Sequence, residues 1–169
     1  TLASIKGERA RAHFKIGRRI IAVGQDEIAA ATEARRILME DSETVFVGFA
    51  DGEIDDEAIK GRVAIMLSDP GRSPARRAVL AEKGPAAIVT VVAAADTIAQ
   101  IQQFQLRDRL VLASEASENV SVFMAQPTLA KILGENRWSE LVAMADEKKG
   151  SGEFEPVVLA ANLTLDVRT

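Results

Sequence analysis

Two stretches of the chain are almost entirely apolar. Val63-Ala64-Ile65-Met66-Leu67 follows Gly61-Arg62, and Ala86 to Val92 carries no charge. Strands that are apolar on both faces belong in the middle of a sheet, usually a parallel one. Between them, Asp69-Pro70-Gly71 ends the first strand, Ser73 is placed to cap a helix with Pro74 at its first position, and Gly84 closes that helix. This strand–helix–strand unit predicts a right-handed crossover, with helices on one side of the sheet.

Other segments follow the same logic. Phe14 to Val23 mixes basic and β-branched residues and reads as one edge strand that keeps Lys15, Arg18 and Arg19 in solvent. Asp26 is placed to cap a helix running to about Met39, with Ile28, Ala31, Ile37 and Leu38 near one face. Val45 to Phe49 is a short strand, and Asp51 to Asp56 an acidic loop. Asp96 opens a short helix through Phe104, and Arg109 to Leu112 and Ser121 to Ala125 are short strands joined by a polar loop, 114–119. Pro127 starts a brief helix that Gly134 ends. Arg137 to Lys148 is an amphipathic helix with Trp138, Leu141, Val142 and Ala145 facing inward. Pro156 to Val167 is a final strand alternating at Leu163, Leu165 and Val167. The fold class is α/β.

Length and composition narrow the function. A chain of 169 residues suits one domain, and a fold of that size buries roughly 70% of its extended surface. There is no Cys, hence no disulfide and no thiolate nucleophile or ligand. A net charge of −4, with few aromatics and no Tyr, argues against a nucleic-acid surface. No apolar run approaches the roughly 20 residues of a membrane-spanning helix. Thr1 is not an initiator Met, and Leu163 to Thr169 stops within a strand-like alternation, so both ends are expected to be boundaries inside a longer chain.

Three ordered segments carry a resemblance. The first is Val45-Phe46-Val47-Gly48-Phe49, then Asp55-Asp56, then Ile59 to Leu67. The second is Arg76 to Val89, a helix ending in Gly84-Pro85-Ala86 before an apolar strand. The third is Val122-Phe123-Met124 leading into Pro127 to Gly134, with Pro156 to Val167 placed where such an insert rejoins its host. Together, over roughly residues 44 to 169, they resemble the protease-associated domain inserted in zinc aminopeptidases of the aminopeptidase-S and glutamate-carboxypeptidase type. Pro85, where the family usually has Ala, and Phe49-Ala50-Asp51, where it usually has aromatic-Gly-Ile, depart from the pattern.

The resemblance implies a swivelling β/β/α architecture over 1–169, with 1–43 a leading strand and helix. Small barrel-like sheets would carry helices on the outside. It further implies a non-catalytic accessory domain that shapes substrate access or binds protein. Its partner would be the catalytic peptidase domain of the same chain, and a peptide or protein substrate could also meet it. No nucleic acid or membrane partner is implied. Zinc would sit in the parent's catalytic domain, with no cofactor in this chain, and the parent would be exported. A free-standing interaction module of the same fold, or a phosphohistidine-type swivelling domain, are the alternatives.

The residues themselves offer no catalytic, metal or cofactor site. His13 is the only His, and with Lys15 two residues on it does not form a His-x-Asp pair. Asp51, Glu53, Asp55 and Glu57 alternate like a calcium loop, but Asp56 stands where that loop needs Gly and Arg62 where it needs Glu. Ser68 to Ser73 lies at a helix start but lacks any phosphate-binding motif. A Ser-His-Asp triad would have to use His13. Arg9, Arg11, Lys15, Arg18 and Arg19 read as a solvated basic strand face.

Overall fold

The computed structural model describes residues 9–24, 27–31, 36–51, 54–69, 72–94, 96–101, 121–150 and 154–168. The strands are β1 (Arg9–Ile16), β2 (Arg19–Val23), β3 (Ile28–Ala31), β4 (Arg36–Phe46), β5 (Val63–Leu67), β6 (Ala87–Val92), β7 (Ser121–Ala125) and β8 (Val157–Arg168). The helices are α1 (Asp56–Ile59), α2 (Ser73–Ala81), a helical segment over 96–101 (α3), α4 (Gln126–Leu133) and α5 (Glu135–Lys148). The strands form one sheet in the order β2-β1-β8-β4-β5-β6-β7-β3. β4, β5, β6 and β7 run parallel, and the remaining pairings are antiparallel. β1 comes close to β3 although the two stand near opposite ends of that order, so the sheet curls into a half-barrel.

Alternation along the central strands fills two cores. Val63, Ile65 and Leu67 of β5 join Val89 and Val91 of β6 on the concave face, packed by Leu129 and Ile132 of α4 and Trp138, Leu141 and Ala145 of α5. Ala64 and Met66 of β5 with Ile88 of β6 face the other way, against Ile59 of α1 and Leu80 of α2. This double coverage is the reason the two runs are apolar throughout. The strands form one curled sheet, and its helices lie on both faces rather than on one side as expected.

Among the described residues of 26–39 the predicted helix is not formed. Its described residues are β3 and the start of β4. Ile28, Ala29 and Ala30 are all buried, with Ala29 and Ala30 on opposite faces of the sheet. Ala favours helix in isolation, yet here it is a small residue squeezed between two packed layers, paired through Ala29↔Phe123 and Ala30↔Val122. Tertiary pairing overrides a propensity worth only tenths of a kcal/mol per residue.

The single strand expected over 14–23 is instead a hairpin, turning at Gly17-Arg18 with Ile16 opposite Arg19. Gly17 has φ +61, which a two-residue hairpin turn with Gly first requires. Ser73 is not the cap of α2: Arg72 holds the N-cap position, without a side-chain hydrogen bond, and Pro74 lies in the first turn. Gly84 does have positive φ, +77, just past the helix end at Ala81. β5, β6, β7, α4, α5 and β8 match their predicted segments within a few residues. The predicted strand at 109–112 and loop at 114–119 lie outside the described residues, as does the end of the helix that begins at Asp96.

Candidate functional site

In open parallel sheets, ligands gather beyond the carboxyl ends of the strands. Here that rim is formed by the turn after β4 (47–51), the residues after β5 (68–69 and 72), and the C-terminal end of α5. Ala50 adopts a left-handed conformation, φ 54, unusual for a residue with a side chain. The turn is held by Ala50 N–H donating to the Val47 carbonyl at 3.0 Å.

A charged cluster braces this rim. Arg76 of α2 donates to Asp69 Oδ2 at 2.9 Å and to the Phe49 carbonyl at 3.2 Å. Both side chains of the pair are largely buried. Lys149 Nζ lies 3.8 Å from Asp69 Oδ1 and 4.5 Å from the centre of the Phe49 ring. The Gly150 N–H donates to Asp51 Oδ2 at 2.6 Å. Three connections that are distant in sequence are thus fastened together. The charges satisfy one another, so the cluster acts as a brace rather than as a free acid, base or nucleophile. Beside it, Met144, Glu147, Lys148, Phe154 and Glu155 line an open groove of about 760 Å³.

Two further charged groups stand out. Glu27 accepts from the Gly24 N–H at 2.9 Å, from Thr128 Oγ1 at 3.0 Å and from Lys131 Nζ at 3.0 Å, tying the start of β3 to α4. Burial opposes its charge, but the hydrogen bonds from Lys131, Gly24 and Thr128, with the Lys131 charge, outweigh that and hold the carboxyl below the usual glutamate range. Arg77 of α2 lies over the Phe123 ring, 5.1 Å from its centre, with Thr90 Oγ1 at 3.4 Å. Burial lowers its pKa from the usual arginine value.

The candidate residues of the sequence are dispersed. His13 is on β1, opposite Ala22 and Thr164. Of the acidic loop, Asp55 caps α1, Asp56 pairs with Lys83 at 2.8 Å, and Asp51 serves the rim. Glu53 lies outside the described residues. Among the described residues no three His, Asp or Glu side chains gather as a metal site. After β5, Ser68 N–H donates to the Val91 carbonyl and Asp69 is held by Arg76. Arg11, Lys15, Arg18 and Arg19 are exposed on the β1–β2 hairpin. The brace residues Phe49, Arg76 and Lys149 are not among the sequence candidates, since nothing in their spacing announces that they meet. No described helix is long and apolar enough to cross a membrane.

Comparison with known protein families, with curated proteins and with solved structures returns no match for this chain.

Proposed function

We propose that this chain is a non-catalytic accessory domain of the protease-associated type, inserted in a zinc aminopeptidase, where it borders the substrate path. The two β layers of a swivelling β/β/α unit would then be the two halves of the one curled sheet. The observation that carries the reading is a pairing: Arg9 of β1 and Arg168 of β8 are direct cross-strand partners. The first and last described strands therefore lie side by side, the geometry that lets a domain be inserted in a host without disturbing it. The segments that carry the family resemblance also fall together. They form the end of β4, α1, β5, α2, β6, β7, α4 and β8; β4, β5, β6 and β7 are parallel neighbours, and β8 flanks β4 antiparallel. Peptide hydrolysis by a zinc enzyme needs ligands leaving an open position and a base for the water proton. On this reading both belong to the parent's catalytic domain.

The test has two arms. The coding sequence on either side of this segment should supply a His-x-Asp pair with further acidic residues. The purified chain should retain no stoichiometric zinc after dialysis and cleave no aminoacyl-anilide, with or without added zinc. Zinc near one equivalent, with turnover that His13→Ala abolishes, overturns the proposal.

A further inference from the structure

The β1–β2 hairpin differs in charge from the rest of the molecule. Residues 9–23 hold five Arg or Lys and no Asp or Glu, in a chain whose net charge is −4. Lys15, Arg18 and Arg19 are exposed, and among the described residues none of them has an ion-pair partner. β2 ends the strand order, so among the described residues no strand pairs with its outer edge. In the middle of this basic edge stands Ile20, 66% exposed, beyond any other large apolar residue described. Ile20 and Ala22 project to the face away from the core, while Ile21 and Val23 pack toward it.

Charge on an edge strand is a common guard against self-association. A guard alone, however, does not call for a large exposed aliphatic side chain at its centre, nor for charges of one sign. An open edge, an apolar anchor and flanking cations together are what an added strand of opposite charge would meet. We propose that the outer edge of β2 receives an extended, acidic segment of a partner protein. Its backbone would continue the sheet beyond β2. An aliphatic residue would cover Ile20, and a carboxylate on the alternate face would meet Arg19, with Arg18 beside it at the turn. The same single sign that attracts this segment repels a second copy of the hairpin, so the edge discriminates against self-pairing.

The probe is a short peptide alternating Glu and Val, about ten residues long, enough to span a five-residue strand with overhang. Amide NMR and titration calorimetry at low salt should show binding, with shifts concentrated on residues 19–23. The affinity should fall about tenfold or more in the Arg18→Glu/Arg19→Glu variant, and as salt rises toward 0.5 M. Ile20→Thr, which preserves strand propensity and the charges, should also weaken binding. The matching Lys–Val peptide should not bind. The proposal is overturned by absence of binding to the Glu–Val peptide, by equal binding of the Lys–Val peptide, by undiminished affinity in both variants, or by shifts lying elsewhere. It is overturned equally if duplex DNA or phosphatidylglycerol vesicles bind the hairpin more tightly than the peptide, since the edge would then be a general polyanion surface.

Discussion

Glu27 and Lys131 are 104 residues apart in the chain, and their charged atoms lie 3.0 Å apart in the fold. The bond joins the start of β3, at one end of the sheet, to the exposed side of α4. Folding lowers the Glu27 pKa, because hydrogen bonds to the charged form outweigh burial. The group therefore stabilises the fold fully above the ordinary glutamate range, and that contribution is lost as pH falls through the lower, folded value. Glu27→Gln is expected to cost about 1.5–3 kcal/mol at neutral pH, the usual size for hydrogen bonds to a charged group. The gap between variant and parent should narrow by pH 3. Urea midpoints at the two pH values measure it, and a constant gap would mean that Glu27 gains nothing from being ionised.

Two ion pairs differ chiefly in burial, and their energetics should differ accordingly. Asp69 and Arg76 are 14% and 13% exposed, whereas Glu43, the partner of Arg62, is 61% exposed. A half-removed buried pair leaves a charge without water or counter-ion, which costs about 3 kcal/mol or more, while exposed pairs contribute about 0–1. Asp69→Asn should therefore lower stability by about 2–3 kcal/mol, since Arg76 keeps the Phe49 carbonyl, and Glu43→Gln by under about 0.5. Chemical denaturation of both variants makes the comparison. Equal costs would show that the rim cluster is solvated after all.

How far each element is legible in the sequence depends on how local the deciding force is. Val63 to Leu67 and Ala87 to Val92 are legible because both faces of each strand are buried, and few structures other than a central strand fit such short apolar runs. The α4–α5 segment is legible because Gly134 interrupts two amphipathic stretches. The hairpin at Gly17-Arg18 carries a weaker signal, Gly first in a two-residue turn between β-formers, which the run of basic residues around it hides. The segment at Ile28 to Ala31 carries none, because its strand state comes from β7, whose pairing residues lie 90 to 96 positions later. The rim brace is of that second kind. Phe49, Lys149 and the neighbouring Asp69 and Arg76 come from three separate parts of the chain, and no spacing within it encodes their meeting.

Gly134 is shared by two helices, ending α4 and preceding α5, at φ 94 and ψ 140. That region is closed to residues with a β-carbon, whatever space surrounds them. A β-carbon there would meet no atom within 4 Å, so the cost of Gly134→Ala is backbone strain alone. The expected loss is about 1–3 kcal/mol. Because nothing clashes, the variant should keep the native near-ultraviolet spectrum while melting earlier. An unchanged melting temperature would mean that the α4–α5 junction relaxes to another conformation.

Trp138 offers a test of opposing terms. Its indole lies in the concave core, edge-on to Phe46 with ring centres 5.8 Å apart, and Phe46 in turn meets Phe154 edge-on at 5.7 Å. Its Nε1–H is buried and has no hydrogen-bond partner among the described residues. A buried donor without an acceptor costs about 1–3 kcal/mol. Truncating a core aromatic to Ala costs about 3–5 kcal/mol through lost contacts and the cavity left behind. Trp138→Phe removes the orphan donor and keeps an aromatic ring against Phe46, so the two terms oppose each other. The net change should stay within about 1 kcal/mol of zero, while Trp138→Ala should show the full cavity cost. Because Trp138 is the only tryptophan, unfolding must be followed by circular dichroism rather than indole fluorescence. A loss near that of Ala for the Phe variant would mean that the indole N–H has an acceptor in solution, a bound water being the simplest.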